Sequence, residues 1–279
     1  MASLLFIITL LTFLLIDIKN IHKFLYNGNI FKLLIKSKDA IMQNTWLIIP
    51  ISLISYLIGS ISNTRIISKI VDPEADLENV FFEDKKTSQK RRLRTVSATT
   101  ASIKLGPKVG GLITLLDTLK GFIPVLIVHI LFPNKIYHLV AGIFVLIGHD
   151  WSIFYRFTGG GGYSTSNGIF FAVDWLGALI CSLTGMGVGF MFLKDMFLAF
   201  MLPPWLMVLW FILFKRDWYH IIFGLAINII ILIKLSPDIL DYFNNSDKSS
   251  RDYSSIMDQT GMGRGMKKLM KFLGIDPEK

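Results

Sequence analysis

The chain of 279 residues has a single cysteine, Cys181, and it lies inside an apolar run. Disulfides are therefore excluded, and a cysteine-built metal site finds no ligands. Cys181 reads as packing. Acidic residues are the minority charge, 20 Asp and Glu against 29 Lys and Arg, for a net charge of +9. The N-terminus lacks both a basic start and a small-residue cleavage site, so apolar Met1–Ile16 reads as a retained anchor rather than a cleaved signal peptide. A separate basic domain is also missing. The cations border apolar runs, which argues for membrane flanks and against nucleic-acid binding.

What the chain has in quantity is apolar sequence, 52% of all residues, with 22 Phe. Apolar runs that read as the clearest membrane spans occupy Trp46–Ile61, Val109–Phe132, Tyr137–Tyr155, Met196–Phe214 and Trp218–Leu235. This predicts an all-α, polytopic integral membrane protein. The expected organisation is an extra N-terminal apolar segment with a basic connection (1–44), a transmembrane domain (45–240) and a polar tail with a basic amphipathic end (241–279). In that tail Arg264, Lys267, Lys268 and Lys271 alternate with Met266, Leu269, Met270 and Phe272, a pattern suited to an anionic leaflet.

Charge also constrains topology. Lys85, Lys86, Lys90, Arg91, Arg92 and Arg94 form one basic cluster and the tail forms another. If both are cytoplasmic, the chain crosses an even number of times between Lys108 and Ser236. The apolar segments there number five unless Ser166–Leu193 is split. Asp174 interrupts that stretch, so a short half-helix Ser166–Val173, a turn at Asp174-Trp175 and a span Leu176–Leu193 restore the parity. The connection Ile18–Asn44 carries five lysines, which makes it an exception to the charge bias unless Met1–Ile16 lies in the interface.

Three stretches carry candidate chemistry. Gly148-His149-Asp150 ends a span and leads through Arg156 into Gly159, Gly160, Gly161 and Gly162, followed by Ser164 and Thr165. Consecutive glycines expose backbone N–H groups, and hydroxyl residues opening a helix favour an anion such as phosphate. Asp117 and Lys120 stand three residues apart within a span, as a structural ion pair or ligand contacts. Ser60, beside Gly59, closes the second apolar run and permits close helix contact.

In order and spacing, four stretches resemble the bacterial acyl-phosphate:glycerol-3-phosphate acyltransferase family. They are Tyr56-Leu-Ile-Gly-Ser-Ile61, Ser97-Ala-Thr-Thr100, Leu115-Leu-Asp-Thr-Leu-Lys-Gly121, and Gly148-His149 through Thr165. The resemblance covers roughly Trp46 to Leu240. It implies about seven core transmembrane helices, including the short broken one, and a site at the cytoplasmic face of the cell membrane. It implies transfer of an acyl group from acyl phosphate to glycerol 3-phosphate, or a related phosphorylated substrate, giving lysophosphatidic acid. Neither a cofactor nor a metal is implied, and a monomer among anionic lipids is expected. Ser97, Thr99, Lys104, His149 and Asp238 fall at positions implied to be catalytic. Gly159–Gly162, Ser164, Thr165, Arg156, Asp117, Lys120 and Ser60 fall to phosphate or substrate binding.

The departures are specific. The family's Gly-Ser-Gly-Asn-x-Gly-Ala-Thr-Asn is reduced to Ser97-Ala-Thr-Thr100, and Ile103 replaces the arginine that follows it, with Lys104 adjacent. In Lys-Gly-Gly-Lys-Gly-x-Ala-Thr, Thr158 and Gly161 stand where the lysines belong. His-Arg-Glu-Asn aligns with Leu235-Ser236-Pro237-Asp238. A catalytically inactive homologue acting as a lipid-binding or scaffold protein is the alternative, and a small transporter is a third reading. The other glycerolipid acyltransferase signature, His-x4-Asp, is excluded, because Asn27, Asn134, Ile143, Phe154 and Leu225 follow the five histidines at that spacing.

Overall fold

The computed structural model describes residues 45–83, 90–93, 95–193 and 196–244, with isolated residues 264, 265, 267, 268 and 271 of the tail. Met1–Ile16, the lysine-bearing connection, Lys85, Lys86, Arg94 and most of the amphipathic tail lie outside the described residues, as do the side chains of Lys90, Arg91 and Arg92. The chain divides into units Met1–Ile48 and Ile49–Lys279. The second contains everything that follows.

Nine helices and one hairpin are described: α1 (Ile48–Ser60), α2 (Asn63–Val71), β1 (Phe81–Glu83), β2 (Lys90–Arg92), α3 (Ala98–Leu105), α4 (Pro107–Leu131), α5 (Tyr137–Asp150), α6 (Tyr163–Val173), α7 (Trp175–Gly187), α8 (Met196–Trp210) and α9 (Trp218–Asn244). α7 and α8 each run on through a wider turn, Val188–Phe192 and Phe211–Lys215. Among the described residues, five helical segments are long and apolar enough to cross a membrane: Pro107–Leu131, Tyr137–Tyr155, Trp175–Phe192, Phe197–Lys215 and Trp218–Leu240. α1 has 13 residues and falls short of span length. The two strands pair antiparallel, with Phe82 opposite Arg91, and are a small β exception to the all-α expectation.

Burial follows what lipid, rather than water, outside the bundle demands. Leu112, Leu115, Leu119, Ile123, Ile127 and Ile130 form an exposed apolar stripe along α4 at helical spacing. Phe170, Phe211, Phe223, Ile227, Val145 and Leu146 fill the centre. With little hydrophobic drive between lipid-solvated helices, small residues decide where backbones touch. A Cβ at Gly121 of α4 would stand 2.2 Å from the Thr165 carbonyl oxygen, and one at Gly168 of α6 would stand 1.9 Å from that of Thr118. Gly59 of α1 and Gly148 of α5 interlock likewise, at 2.1 Å from Val145 O and 2.2 Å from Tyr56 O. These two contacts bring α1, α4, α5 and α6 together at one end.

The break at Asp174 is as expected, but the short helix begins earlier, at Tyr163 rather than Ser166. Asp174 terminates α6 in extended backbone (φ −154°) and its carboxylate caps α7, accepting from Gly177 N–H at 2.9 Å. Trp210 Nε1 donates to the same carboxylate at 3.2 Å, and Lys215 Nζ lies 3.2 Å away. Burial works against the Asp174 charge, but these three partners outweigh it and hold its pKa below the ordinary carboxylate value. Because Lys215 ends the α8 segment and α9 then returns to Lys234, Asp174 lies at the opposite end from Gly148. The 11 residues of α6 therefore carry the chain from one end to the other.

Candidate active site

The site grows from the end where α1, α4, α5 and α6 meet. Asp117 and Lys120, one helical turn apart on α4, are both buried there, with Lys120 Nζ 3.3 Å from Asp117 Oδ1. Lys120 Nζ also donates to the Ile61 carbonyl at 2.8 Å and lies 2.9 Å from His149 Nδ1. Asn63 Nδ2 donates to Asp117 Oδ1 at 3.0 Å. An ammonium has three N–H donors, and Lys120 has three acceptors around it, so its capacity is spent inside the protein. It holds His149 in place. Taking Lys120 as the ammonium that its Asp117 pairing favours, it donates to His149 Nδ1, which assigns the ring proton to Nε2.

Nε2 faces the glycine loop. A Cβ on Gly160 would lie 2.2 Å from His149 Nε2, and one on Gly159 would lie 2.0 Å from the His149 carbonyl oxygen. Gly160 N–H donates to that carbonyl at 3.2 Å, and Gly159 O accepts from Val96 N–H at 3.2 Å. All four glycines are buried, and only Gly162 has a positive φ, at +78°. This corrects the expectation of an open, flexible cradle: the loop is close-packed glycine, required by lack of room more than by backbone freedom. The hydroxyls also differ from the expected capping role. Gly162 is the N-cap of α6, Ser164 and Thr165 lie in its first turn, and Ser166 Oγ bonds back to Tyr163 O at 2.9 Å.

Asp150 is wholly buried, and both carboxylate oxygens lack a hydrogen-bond partner among the described residues. Its oxygens would stand 3.0 and 3.1 Å from a Cβ on Gly162, so a carboxylate already borders the helix N-terminus that the sequence offers to an anion. Lys234 Nζ of α9 donates to the Asp150 carbonyl at 2.5 Å and sits 5.5 Å above the Trp151 ring. Ser152 Oγ donates to Ser60 O at 2.5 Å and Tyr56 OH to Trp151 O at 2.9 Å, tying α1 to the end of α5. The hydroxyls of Ser60 and Thr165 are buried without partners among the described residues.

The structure thus gathers Ser60, Asp117, Lys120, His149, Gly159–Gly162 and Thr165. Asp238 lies one turn beyond Lys234 and within electrostatic range of it. Ser97 and Thr100 form the capping box of α3, Ser97 N–H to Thr100 Oγ1 at 2.8 Å, one residue from the Val96 contact with the loop. Thr99 is half-buried beside them. Arg156 and Lys104 do not join. Arg156 is exposed and Lys104 is exposed within range of Asp76. Sequence reading missed Asn63, Arg65 and Lys234. Lys234 had a signal, being the only Lys, Arg, Asp or Glu between Asp217 and Asp238. Asn63 had none, and Arg65 was marked only by sharing a helical face with Lys69 at i, i+4 spacing, because their partners depend on how α2 folds back onto α4.

Comparisons with known proteins agree with this architecture. Residues 49–245 match the family model described as glycerol-3-phosphate acyltransferase. A Staphylococcus haemolyticus protein described as glycerol-3-phosphate acyltransferase is 28% identical over 211 residues, 72% of this chain and 96% of that protein. A Thermotoga maritima protein described as glycerol-3-phosphate acyltransferase 2 is 38% identical over 141 residues, half of this chain. The chain spans 64% of the length of that relative and 56% of one from Pseudothermotoga lettingae. The crystal structure of PlsY (YgiH), an integral membrane glycerol 3-phosphate acyltransferase, in its glycerol 3-phosphate form, superposes with a TM-score of 0.62 at 27% identity. It covers 71% of this chain and 92% of that one. The chain is a multi-pass integral membrane protein and belongs to the glycerol-3-phosphate acyltransferase family.

Proposed function

We propose that the protein transfers an acyl group from acyl phosphate to a hydroxyl of glycerol 3-phosphate, at the cytoplasmic face of the membrane. The observation that carries this reading is the Lys120–His149 contact, which aims a neutral imidazole N–H at the glycine loop. The donor is already activated, so no covalent enzyme intermediate is needed. The hydroxyl oxygen forms the new ester bond, the carbonyl–phosphate bond breaks, and phosphate leaves with the electron pair. The hydroxyl proton ends on the released hydrogen phosphate.

The protein's task is to hold two phosphates and stabilise charge on the reacting acyl group. His149 Nε2–H, Lys234 and the buried hydroxyls of Ser60 and Thr165 are donors gathered at one end. The site needs neither a metal nor a cofactor in this scheme. The cytoplasmic assignment rests on the basic clusters, which also favour anionic lipids, and the protein acts as a monomer.

The test is an acyl-transfer assay on purified protein reconstituted in anionic lipid, with acyl phosphate and glycerol 3-phosphate supplied. Lysophosphatidate and phosphate are expected in equal amounts, and Lys120→Met is expected to abolish both. No lysophosphatidate from folded protein, or undiminished product from Lys120→Met, overturns the proposal.

A further inference from the structure

Arg65 is a well-enclosed cation at the edge of the site outside the Lys120 cluster. Its side chain is 13% exposed, although it lies on a short surface helix. Nη2 donates to Thr158 Oγ1 at 3.0 Å and to Glu78 Oε1 at 2.9 Å. The guanidinium carbon lies 4.6 Å from the centre of the Tyr155 ring, which fixes the plane of the group. Nη1 is buried and has no partner among the described residues. A buried charged donor without an acceptor is costly, so such a group normally awaits one.

The surroundings indicate what that acceptor is. Thr158 immediately precedes Gly159, so the guanidinium is fastened to the first residue before the packed loop. Two residues earlier on α2, Asn63 holds Asp117, so α2 registers Arg65 against the Lys120–His149 cluster. Arg65 is also within electrostatic range of Lys234, and two cations brought together in a partly buried place favour an anion between them. Thr158 is moreover a position where the resemblance calls for lysine. Nη1 keeps its N–H donors for a phosphate oxygen, while Nη2 spends both of its own on Thr158 and Glu78.

We propose that Arg65 grips the phosphate of a substrate at the mouth of the glycine loop, supplying from α2 the charge that position 158 lacks. This inference rests on the acyltransferase reading above and deepens it. The shared chemistry is a phosphate group, and either acyl phosphate or glycerol 3-phosphate presents one.

The test is steady-state kinetics on the reconstituted full chain, varying each substrate in turn. Arg65→Gln is expected to raise KM for one substrate at least tenfold while kcat changes less than about threefold, and the substrate affected identifies the phosphate held. Arg65→Lys should lie between Arg65→Gln and wild type. Adding Thr158→Lys to Arg65→Gln should bring KM back to within about threefold of wild type, a rescue that a merely structural role would not give. Unaltered KM for both substrates, or no recovery in the double variant, overturns the inference. If wild type is active and Lys120→Met is not, either result sinks only the Arg65 assignment. An inactive wild type sinks the functional reading itself.

Discussion

Lys120 Nζ lies 2.9 Å from His149 Nδ1, and each side chain settles the other's chemistry. The ammonium obliges the imidazole to accept at Nδ1, and the imidazole in turn takes up one of the ammonium's three donors. The intramembrane lysine thereby spends its donors on protein groups, and the atom that faces the loop belongs to histidine.

Removing Lys120 should separate stability from activity. Lys120→Met leaves the Asp117 carboxylate buried with only Asn63 donating to it, a change that costs about 3–5 kcal/mol in comparable buried pairs. Adding Asp117→Asn should restore most of the thermal stability in detergent while activity stays at background. Recovery of activity in the double variant would show that the pair only holds the helices together.

Substitutions along the glycine loop should differ by position. Gly160→Ala places a methyl 2.2 Å from His149 Nε2 and should abolish acyl transfer. Gly161 is roomier: a Cβ there meets the mobile end of Leu235 at 3.2 Å and Thr95 at 4.0 Å. Gly161→Lys should therefore fold and leave activity intact or raised. Assays of the two variants at matched expression check this contrast.

The α4–α6 contact should be intolerant of any side chain. Gly121→Ala sets a methyl 2.2 Å from the Thr165 carbonyl, which is backbone and has nowhere to yield. A loss of about 1–3 kcal/mol is expected from overpacking, together with lower activity, since Thr165 moves with that backbone. Thermal unfolding of the purified variant in detergent measures the first part.

Asp174 should make the opposite end acid-sensitive. Its folded pKa lies below the ordinary 3.8, so the stabilisation is complete above pH 3.8 and is lost as pH falls through the folded value. Wild type should therefore lose thermal stability below about pH 4 more steeply than Asp174→Asn, which keeps an N-cap acceptor without the charge. Asp174→Ala should cost about 1 kcal/mol at neutral pH. Parallel melting curves of wild type and Asp174→Asn from pH 6 to pH 3 would expose an error in this assignment.

Much of the fold was legible because the membrane imposes long apolar runs. The five span-length helices begin and end within a few residues of the sequence segments. Asp174 announced the break because a charge in an apolar run needs a reason, and its reason is the α7 cap. The boundary at Tyr163 was missed because Gly162 caps that helix by conformation, without a capping side chain. Within the site, Asp117, Lys120 and His149 stood out as polar groups in apolar surroundings. Their arrangement did not, since the Ile61 carbonyl and Asn63 reach them across more than 50 residues of sequence. The exposed placement of Arg156 and Lys104 was not legible, because charge near a motif says nothing of which way a loop turns. Arg156 lies in a left-handed backbone conformation (φ +50°), in the exposed turn before Thr158.

Helix α2 is built inside out. Thr64 and Ser68 are buried, while Ile66, Ile70 and Val71 are exposed. A helix so patterned suits the acyl-chain boundary of a leaflet on its outer side, while Asn63 and Arg65 reach from its flanks to Asp117 and Thr158. Thickening the bilayer or packing its surface more tightly presses on α2, and the pressure arrives at a guanidinium. Under the proposed activity, turnover should track the physical state of the membrane, a coupling that needs no separate regulatory ligand and that assays in bilayers of graded thickness would measure.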